Sequence, residues 1–234
     1  MQEKYKIKNI LRYYIGGKIE RFYFRFLLPR FEIDRGLINK TIQEFNLDAI
    51  TSDLKEVYSN LSFLKTDNID YFDTMLTWCR ADRYLPDNPF FLNPPNVAAI
   101  DFLLKHAKKD SYILDYCSGL GNLLIYLKKM GFKNAFGYDN FSQVSSETVN
   151  NFLVNFNYPD IVLPKDQALK LKTNIALCIS YFWNRLDKDI IEKEVNNPAI
   201  EYILLDYPYA SRHIQNFKII GVYKNLLIVF KRKR

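Results

Sequence analysis

Beyond residue 110 the apolar positions change texture repeatedly, from short continuous runs to a spacing of three and four residues and back. The runs at 112–117, 135–139, 161–163, 175–181 and 202–206 predict buried strands. The periodic stretches at 122–130, 142–156 and 189–195 predict helices between them. Such alternation predicts a parallel sheet covered by helices on both faces. The last two apolar runs, 217–223 and 226–231, are separated only by Lys224-Asn225. So short a link joins antiparallel strands, because a parallel crossover needs a dozen residues or more. The expected fold is therefore α/β: a seven-stranded, mostly parallel sheet that ends in an antiparallel hairpin, with helices on both faces.

Upstream the pattern is helical from 37 to 85, with Leu54, Val57, Tyr58, Leu61 and Leu64 and then Phe72, Met75, Leu76 and Cys79 at helical spacing. Pro86-Asp-Asn-Pro89 and Asn93-Pro94-Pro95-Asn96 interrupt it, the second just ahead of a periodic run at 97–108. This punctuation sets an expected border near residue 90. Residues 1–90 form a helical N-terminal region, serving as a lid or docking surface, and residues 91–234 form the sheet domain.

Composition adds that 48% hydrophobic and 25% charged residues suffice for a packed core. Cys79, Cys117 and Cys178 are odd in number, far apart and outside any ligand cluster. Neither a disulfide framework nor a metal site is expected, and a reducing, cytoplasmic setting is. Residues 1–9 are polar and lysine-rich and lead into no uninterrupted apolar run, so neither a signal peptide nor a membrane span is expected. The net charge of +7 is concentrated at the two ends: residues 1–30 hold eight Lys and Arg against Glu3 and Glu20, and Lys231 to Arg234 are all cations. Cations interleaved with aromatic groups between residues 4 and 32 suit an anionic membrane surface or a nucleic-acid backbone, or else a helix packing its Phe face on the core. Contact through these ends would make the protein peripheral to a membrane.

The stretch Asp115-Tyr-Cys117-Ser118-Gly119-Leu-Gly121-Asn122 carries the chemistry. A strand runs into a turn built on two glycines and then opens a helix, so backbone N–H groups can approach a ligand. In an open α/β sheet ligands gather at the carboxyl ends of the strands, where this turn falls. Asp139 follows 20 residues after Gly119, at the end of the next strand, the spacing at which an acid accepts hydrogen bonds from ribose hydroxyls. Nucleoside binding is implied. A dinucleotide is disfavoured, because the third position of a G-x-G-x-x-G loop is Leu124 where a small residue is needed.

These residues resemble the first motif of the class I S-adenosylmethionine-dependent methyltransferases, an acid followed by a glycine-rich turn. The resemblance covers about residues 96–234 and implies S-adenosylmethionine as cofactor. It implies that Cys117, Ser118, Gly119 and Gly121 cradle the methionine part and that Asp139 holds the ribose. Asn140 and Ser180 join this cofactor-binding set, and Asp166, after the third strand, lies near the adenine amine. The family likewise ends in an antiparallel hairpin. One departure is Cys117, where the family has its first glycine. Asp115 binds the cofactor's amino group or accepts N–H bonds within its own loop, and Asp166 in Pro164-Lys-Asp-Gln also suits an ordinary turn.

The acceptor is expected beyond the fourth and fifth strands, where Tyr181-Phe182-Trp183 and Tyr207-Pro208-Tyr209 provide aromatic walls. Methyl transfer from a sulfonium is a direct displacement that chiefly needs alignment. For a hydroxyl acceptor His213 or Asp206 would take the proton, with Tyr181 as a further catalytic candidate. The leading expectation is methylation of oxygen or nitrogen on a small-molecule or glycan acceptor. The rivals are a nucleic-acid methyltransferase gripping phosphate with its basic ends, and a methyltransferase-like scaffold without catalysis. Asn93-Pro94-Pro95-Asn96 and Asp206-Tyr207-Pro208-Tyr209 both resemble the signature of enzymes that methylate base amines. The first precedes every strand and belongs to a helix start; the second follows the fifth strand, where that signature belongs after the fourth.

Overall fold

The computed structural model describes residues 35–60, 94–140, 146–179, 186–206, 214–223 and 226–233. The chain divides into two units, Met1–Ile33 and Asp34–Arg234, of which the second contains every element described below.

Seven strands form one sheet: β1 (Ile113–Tyr116), β2 (Ala135–Tyr138), β3 (Val162–Leu163), β4 (Ile175–Cys178), β5 (Tyr202–Asp206), β6 (Phe217–Tyr223) and β7 (Leu227–Arg232). Their order is β3-β2-β1-β4-β5-β7-β6. The first five pair in parallel; β7 pairs antiparallel with both β5 and β6. This is the Rossmann-like sheet with a closing hairpin that the hydropathy pattern predicts. The chain reverses its strand order between β1 and β4, and the carboxyl end of β1 therefore opens onto the crevice where such sheets bind ligands.

Alternate residues of each strand face opposite layers. Leu114, Tyr116, Ala176, Cys178, Ile203, Leu205, Ile228 and Phe230 form one apolar face, covered by α6 (Lys165–Lys170) and α7 (Lys188–Asn196) through Ala168, Ile190 and Val195. α3 (Pro94–His106) and α4 (Asn122–Lys129) pack on β7 and β2, and α5 (Ser146–Val154) follows β2 in the chain. α3 begins at Pro94, three residues before the start that the periodicity predicts, because Pro94 and Pro95 sit in a first turn whose N–H groups have no helical partner. Its Phe102 makes edge-on contacts with Tyr202 of β5 and Tyr223 of β6, at centroid separations of 5.5 and 5.3 Å.

α1 (Arg35–Glu44) packs on α3, and α2 (Leu47–Asn60) packs on α4, the helix that follows the glycine turn. Thr51 of α2 meets the buried Tyr126 hydroxyl at 2.6 Å, and Lys129 pairs with Asp53 at 2.5 Å. These two helices therefore cluster with the sheet unit. The remainder of the helical pattern up to residue 85, the Pro86-Asp-Asn-Pro89 cluster and Cys79 lie outside the described residues, as do residues 1–34.

Two expectations change in detail. The fourth strand ends at Cys178, three residues before the predicted end, although Ile179 stays buried. The segment after β3 is the short helix α6, not a turn: Pro164 stands at its N-cap and Asp166 falls in its first turn. Six residues span under two turns, too few to show a period.

Candidate functional site

At the carboxyl end of β1 the chain leaves the sheet at Tyr116 and bends through three consecutive stretches of left-handed backbone, at Cys117 (φ 62°), Gly119 (φ 55°) and Gly121 (φ 77°). Glycine adopts this conformation freely; cysteine does so at a cost of about 1–2 kcal/mol. Position 117 thus carries a cysteine where glycine is conformationally favoured. Cys117→Gly is expected to fold at least as well as the native chain. Cys117→Val, which adds a branched Cβ at the same φ, is expected to lose about 2 kcal/mol; urea midpoints of the two variants check this.

The turn is laced to the end of β2. The Cys117 and Ser118 amides both donate to the Tyr138 carbonyl, at 2.7 and 3.2 Å, and the Gly121 amide donates to the Ser118 carbonyl at 2.9 Å. The Gly119 amide donates to Oδ2 of Asp139 at 3.0 Å. Asp139 and the glycine turn, 20 residues apart in the chain, therefore form one unit. Four of the amides that the sequence offers to a ligand are instead engaged by the protein, because the left-handed residues fold the turn back over β2.

Gly137 makes that contact sterically feasible. A Cβ built on it would lie 2.4 Å from Ser118 Oγ, and 2.7 Å from both Ser118 Cβ and Leu124 Cδ1. Gly121 is similarly confined, its Cβ position 3.2 Å from Val162 and 3.3 Å from Leu153. In a dinucleotide-binding loop the third glycine, on the helix, allows close packing against the strand. Here the helix carries the bulky, fully buried Leu124 and the small residue has moved to the strand. Gly137 is the site residue that sequence reasoning misses: its own φ is unremarkable, and the constraint comes from another element.

What remains around the turn is acceptor-rich. Asp115 is buried, and burial, with the Asp139 charge adding to it, pushes its carboxyl from the ordinary 3.8 up to about 8. Asn122, first residue of α4, has its Oδ1 buried with no hydrogen-bond partner. Ser118 Oγ is likewise buried and unpartnered, against Gly137. The Cys117 thiol is pushed upward by burial first and then by Asp139, Asp115 and Asp187, so it stays protonated and unreactive at neutral pH. The free Cys178 thiol, at the end of β4, is raised by burial, Cys117, Asp115 and Asp206. Asp206, buried at the end of β5, thereby belongs to the same edge of the sheet.

The far face of β1 is pinned as well. The Tyr116 hydroxyl donates to the fully buried Glu194 of α7, which Lys193 pairs at 2.7 Å while also donating to Thr173. At the end of β2, Tyr138 donates to Asp187 at 3.2 Å, and Lys165 joins Asp187 and Asp189 at 2.8 and 3.0 Å. Asp166 points into a more open region, its side chain 70% exposed and 3.9 Å from Lys170. Asn140 is exposed. Ser180, Tyr181 and His213 lie outside the described residues. The structure thus brings together Asp115, Cys117, Ser118, Gly119, Gly121 and Asp139, adds Asp206 along the sheet edge, and leaves Asp166 at the rim. Among the described residues no group of three or more His, Cys, Asp or Glu is arranged to hold a metal ion.

The raised Asp115 carboxyl gives a pH dependence. Its pKa in the folded chain lies above the unfolded value, so between pH 3.8 and about 8 the folded state holds a proton that the unfolded state has released. Stability of the ligand-free protein is expected to fall as pH rises through that window, by up to about 1.4 kcal/mol per pH unit. Asp115→Asn removes the titrating charge. A plot of its Tm against pH should be flatter than that of the native chain, and a parallel plot would contradict the assignment.

No protein-family model matches the chain, and no curated protein matches it. Among solved structures, magnesium protoporphyrin IX methyltransferase from Synechocystis PCC 6803 with bound SAM is similar at 14% identity and a TM-score of 0.46, over 71% of this chain and 93% of that one. The ribosomal protein L11 methylase of Lactobacillus delbrueckii subsp. bulgaricus is similar at 14% identity and 0.40, over 60% and 79%. The tRNA (uracil-54, C5)-methyltransferase of Pyrococcus abyssi, in complex with S-adenosyl-L-homocysteine, is similar at 16% identity and 0.41, over 64% and 41%. Likenesses this distant go no further than the Rossmann-like fold that the strand order already establishes.

Proposed function

We propose that the chain is an S-adenosylmethionine-dependent methyltransferase. The observation that carries this reading is the acceptor-rich lining: the Cys117, Ser118, Gly119 and Gly121 amides are engaged at home, while Asp115, Asp139 and Asn122 Oδ1 present oxygen atoms. A phosphate or pyrophosphate needs donors and would meet the Asp139 carboxylate, with the Asp115 carboxyl held neutral until a positive charge ionises it. A ribose diol and an ammonium group bring donors and positive charge, and both occur in S-adenosylmethionine. An unpartnered buried oxygen such as Asn122 Oδ1 costs about 1–3 kcal/mol that a ligand donor would recover.

In this reading Asp139 orients the ribose while holding the turn through Gly119, and Asp115 receives the amino group. Cys117 to Gly121 form the floor against the methionine part, with Asp166 and Asn140 at the adenine side and Ser180 completing the set. When bound, the cofactor supplies an electrophilic methyl group. The protein's share is to align an acceptor atom with it and exclude water. For a hydroxyl acceptor His213 or Asp206, the latter buried at the end of the fifth strand, takes the proton, with Tyr181 as a further candidate. The acceptor we favour is oxygen or nitrogen on a small molecule or glycan, with residues 1–90 as a lid or docking region and the cytoplasm as the setting. Methylation of base amines gains no support, because Asp206-Tyr207-Pro208-Tyr209 follows the fifth strand of the sheet and Asn93-Pro94-Pro95-Asn96 leads into α3.

A thermal-shift panel tests this proposal. S-adenosylhomocysteine should raise Tm, whereas NAD and ATP at equal concentration should leave it in place. A shift with NAD or ATP and none with S-adenosylhomocysteine would overturn it.

A further inference from the structure

β6 is the terminal strand of the sheet, paired on one side with β7. It should be polar on its solvent side; instead Ile219, Ile220 and Val222 are 46%, 48% and 43% exposed. Natural edge strands rarely present such residues uncovered. Ile219 stands opposite Phe230 and Val222 opposite Ile228, so these two share one face of the hairpin. Ile220 is the extra residue of an irregularity between Ile219 and Gly221, which turns the strand locally away from flat pairing. Cations flank this aliphatic ridge, and the acids Asp101 and Glu44 lie by Tyr223 on the opposite face of the hairpin. Lys218 lies on the same strand, opposite Lys231, and Arg232 and Lys233 follow on β7 and beyond it. From Asp206 to the last residue the sequence holds seven Lys and Arg and no further Asp or Glu.

We infer that the β6–β7 hairpin is a docking surface for an anionic lipid surface, with Ile219, Ile220 and Val222 entering the headgroup boundary and the surrounding cations meeting the headgroups. Charge complementarity selects this occupant. Aliphatic branched side chains flanked by cations are the composition of interfacial contacts. A second copy of the chain is disfavoured, since a two-fold interface on β6 would bring two sets of like charges together. A nucleic acid would match the charge, but β-branched aliphatic groups offer neither a stacking face nor a hydrogen bond to it. The inference stands independently of the proposed activity, because it uses no residue of the glycine-turn site.

Flotation of the full chain with vesicles of phosphatidylcholine, alone or mixed with phosphatidylserine, tests it. Because residues 1–30 are also basic, the hairpin's part is read from variants and not from binding alone. The native chain should bind the mixed vesicles and not the neutral ones, with affinity falling as salt rises. The exposed double variant Ile219→Ser/Val222→Ser should lose about tenfold. Lys218→Glu/Lys233→Glu should lose roughly fivefold for each cation removed. Both should keep the native Tm and the native response to S-adenosylhomocysteine. Unchanged vesicle binding by both double variants overturns the inference. So does a concentration-dependent dimer dissolved by the Ile219 and Val222 changes, or retention on RNA that needs the lysines and ignores the aliphatic pair.

Discussion

Replacing Asp139 by alanine is expected to weaken S-adenosylhomocysteine binding by about a hundredfold or more. In the proposed site the carboxylate would accept from ribose hydroxyls, and its Oδ2 holds the Gly119 amide at 3.0 Å. A hydrogen bond to a charged acceptor contributes about 1.5–3 kcal/mol, so loss of the ribose contacts alone reaches that range. Loss of the tether adds to it, because the Gly119 amide then has no partner and the turn is free to move. Asp139→Asn separates the two contributions. Its amide oxygen can still accept from Gly119, so the variant should keep most of the native Tm while binding the ligand more weakly. Equal affinity of native and alanine variants, by calorimetry, would remove Asp139 from the site.

Gly137→Ala is expected to be the most damaging change that touches no ligand. The new methyl would stand 2.7 Å from Ser118 Cβ, an atom fixed by the backbone of the turn. Leu124 could swing its terminal methyl aside; Ser118 cannot yield without carrying Cys117 and Gly119 with it. Overpacking of this kind costs about 1–3 kcal/mol. The displacement also separates the Gly119 amide from Asp139, so ligand binding should fail together with stability. A combined Gly137→Ala/Leu124→Ala variant discriminates. It relieves the helix contact and leaves the Ser118 contact, so ligand binding should remain lost. Restored binding in the double variant would show that the helix, and not the turn, is what Gly137 accommodates.

Much of this architecture is legible in the residue pattern, and for identifiable reasons. Strands β1 to β5 lie buried in the sheet, so each is a continuous apolar run bounded by polar turns. The hairpin is fixed by the brevity of Lys224-Asn225. The glycines of the turn at 117–121 and the position of Asp139 at the end of the next strand are visible because left-handed backbone favours glycine and because a βαβ unit has a characteristic length. The parts that escape are those set by neighbours distant in sequence. α6 is too short to display a period, which is why Asp166 resembles a turn residue. Gly137 sits in ordinary strand conformation, and its need for a hydrogen in place of a side chain comes wholly from Ser118 and Leu124. The engagement of the Cys117, Ser118 and Gly121 amides by Tyr138 and Ser118 is equally invisible in sequence, yet it removes three of the expected donors from the site. That engagement supports the proposed ligand, a nucleoside that carries positive charge, over one that carries phosphate.

Calorimetric titration of the native chain with S-adenosylhomocysteine near pH 7, repeated in buffers of different ionisation enthalpy, bears most directly on this lining. Asp115, raised to about 8 in the ligand-free chain, should give up its proton when an ammonium group settles beside it. Binding accompanied by release of up to about one proton is the predicted result. No heat of binding with S-adenosylhomocysteine, or binding of NAD in its place, would contradict an acceptor-lined nucleoside site.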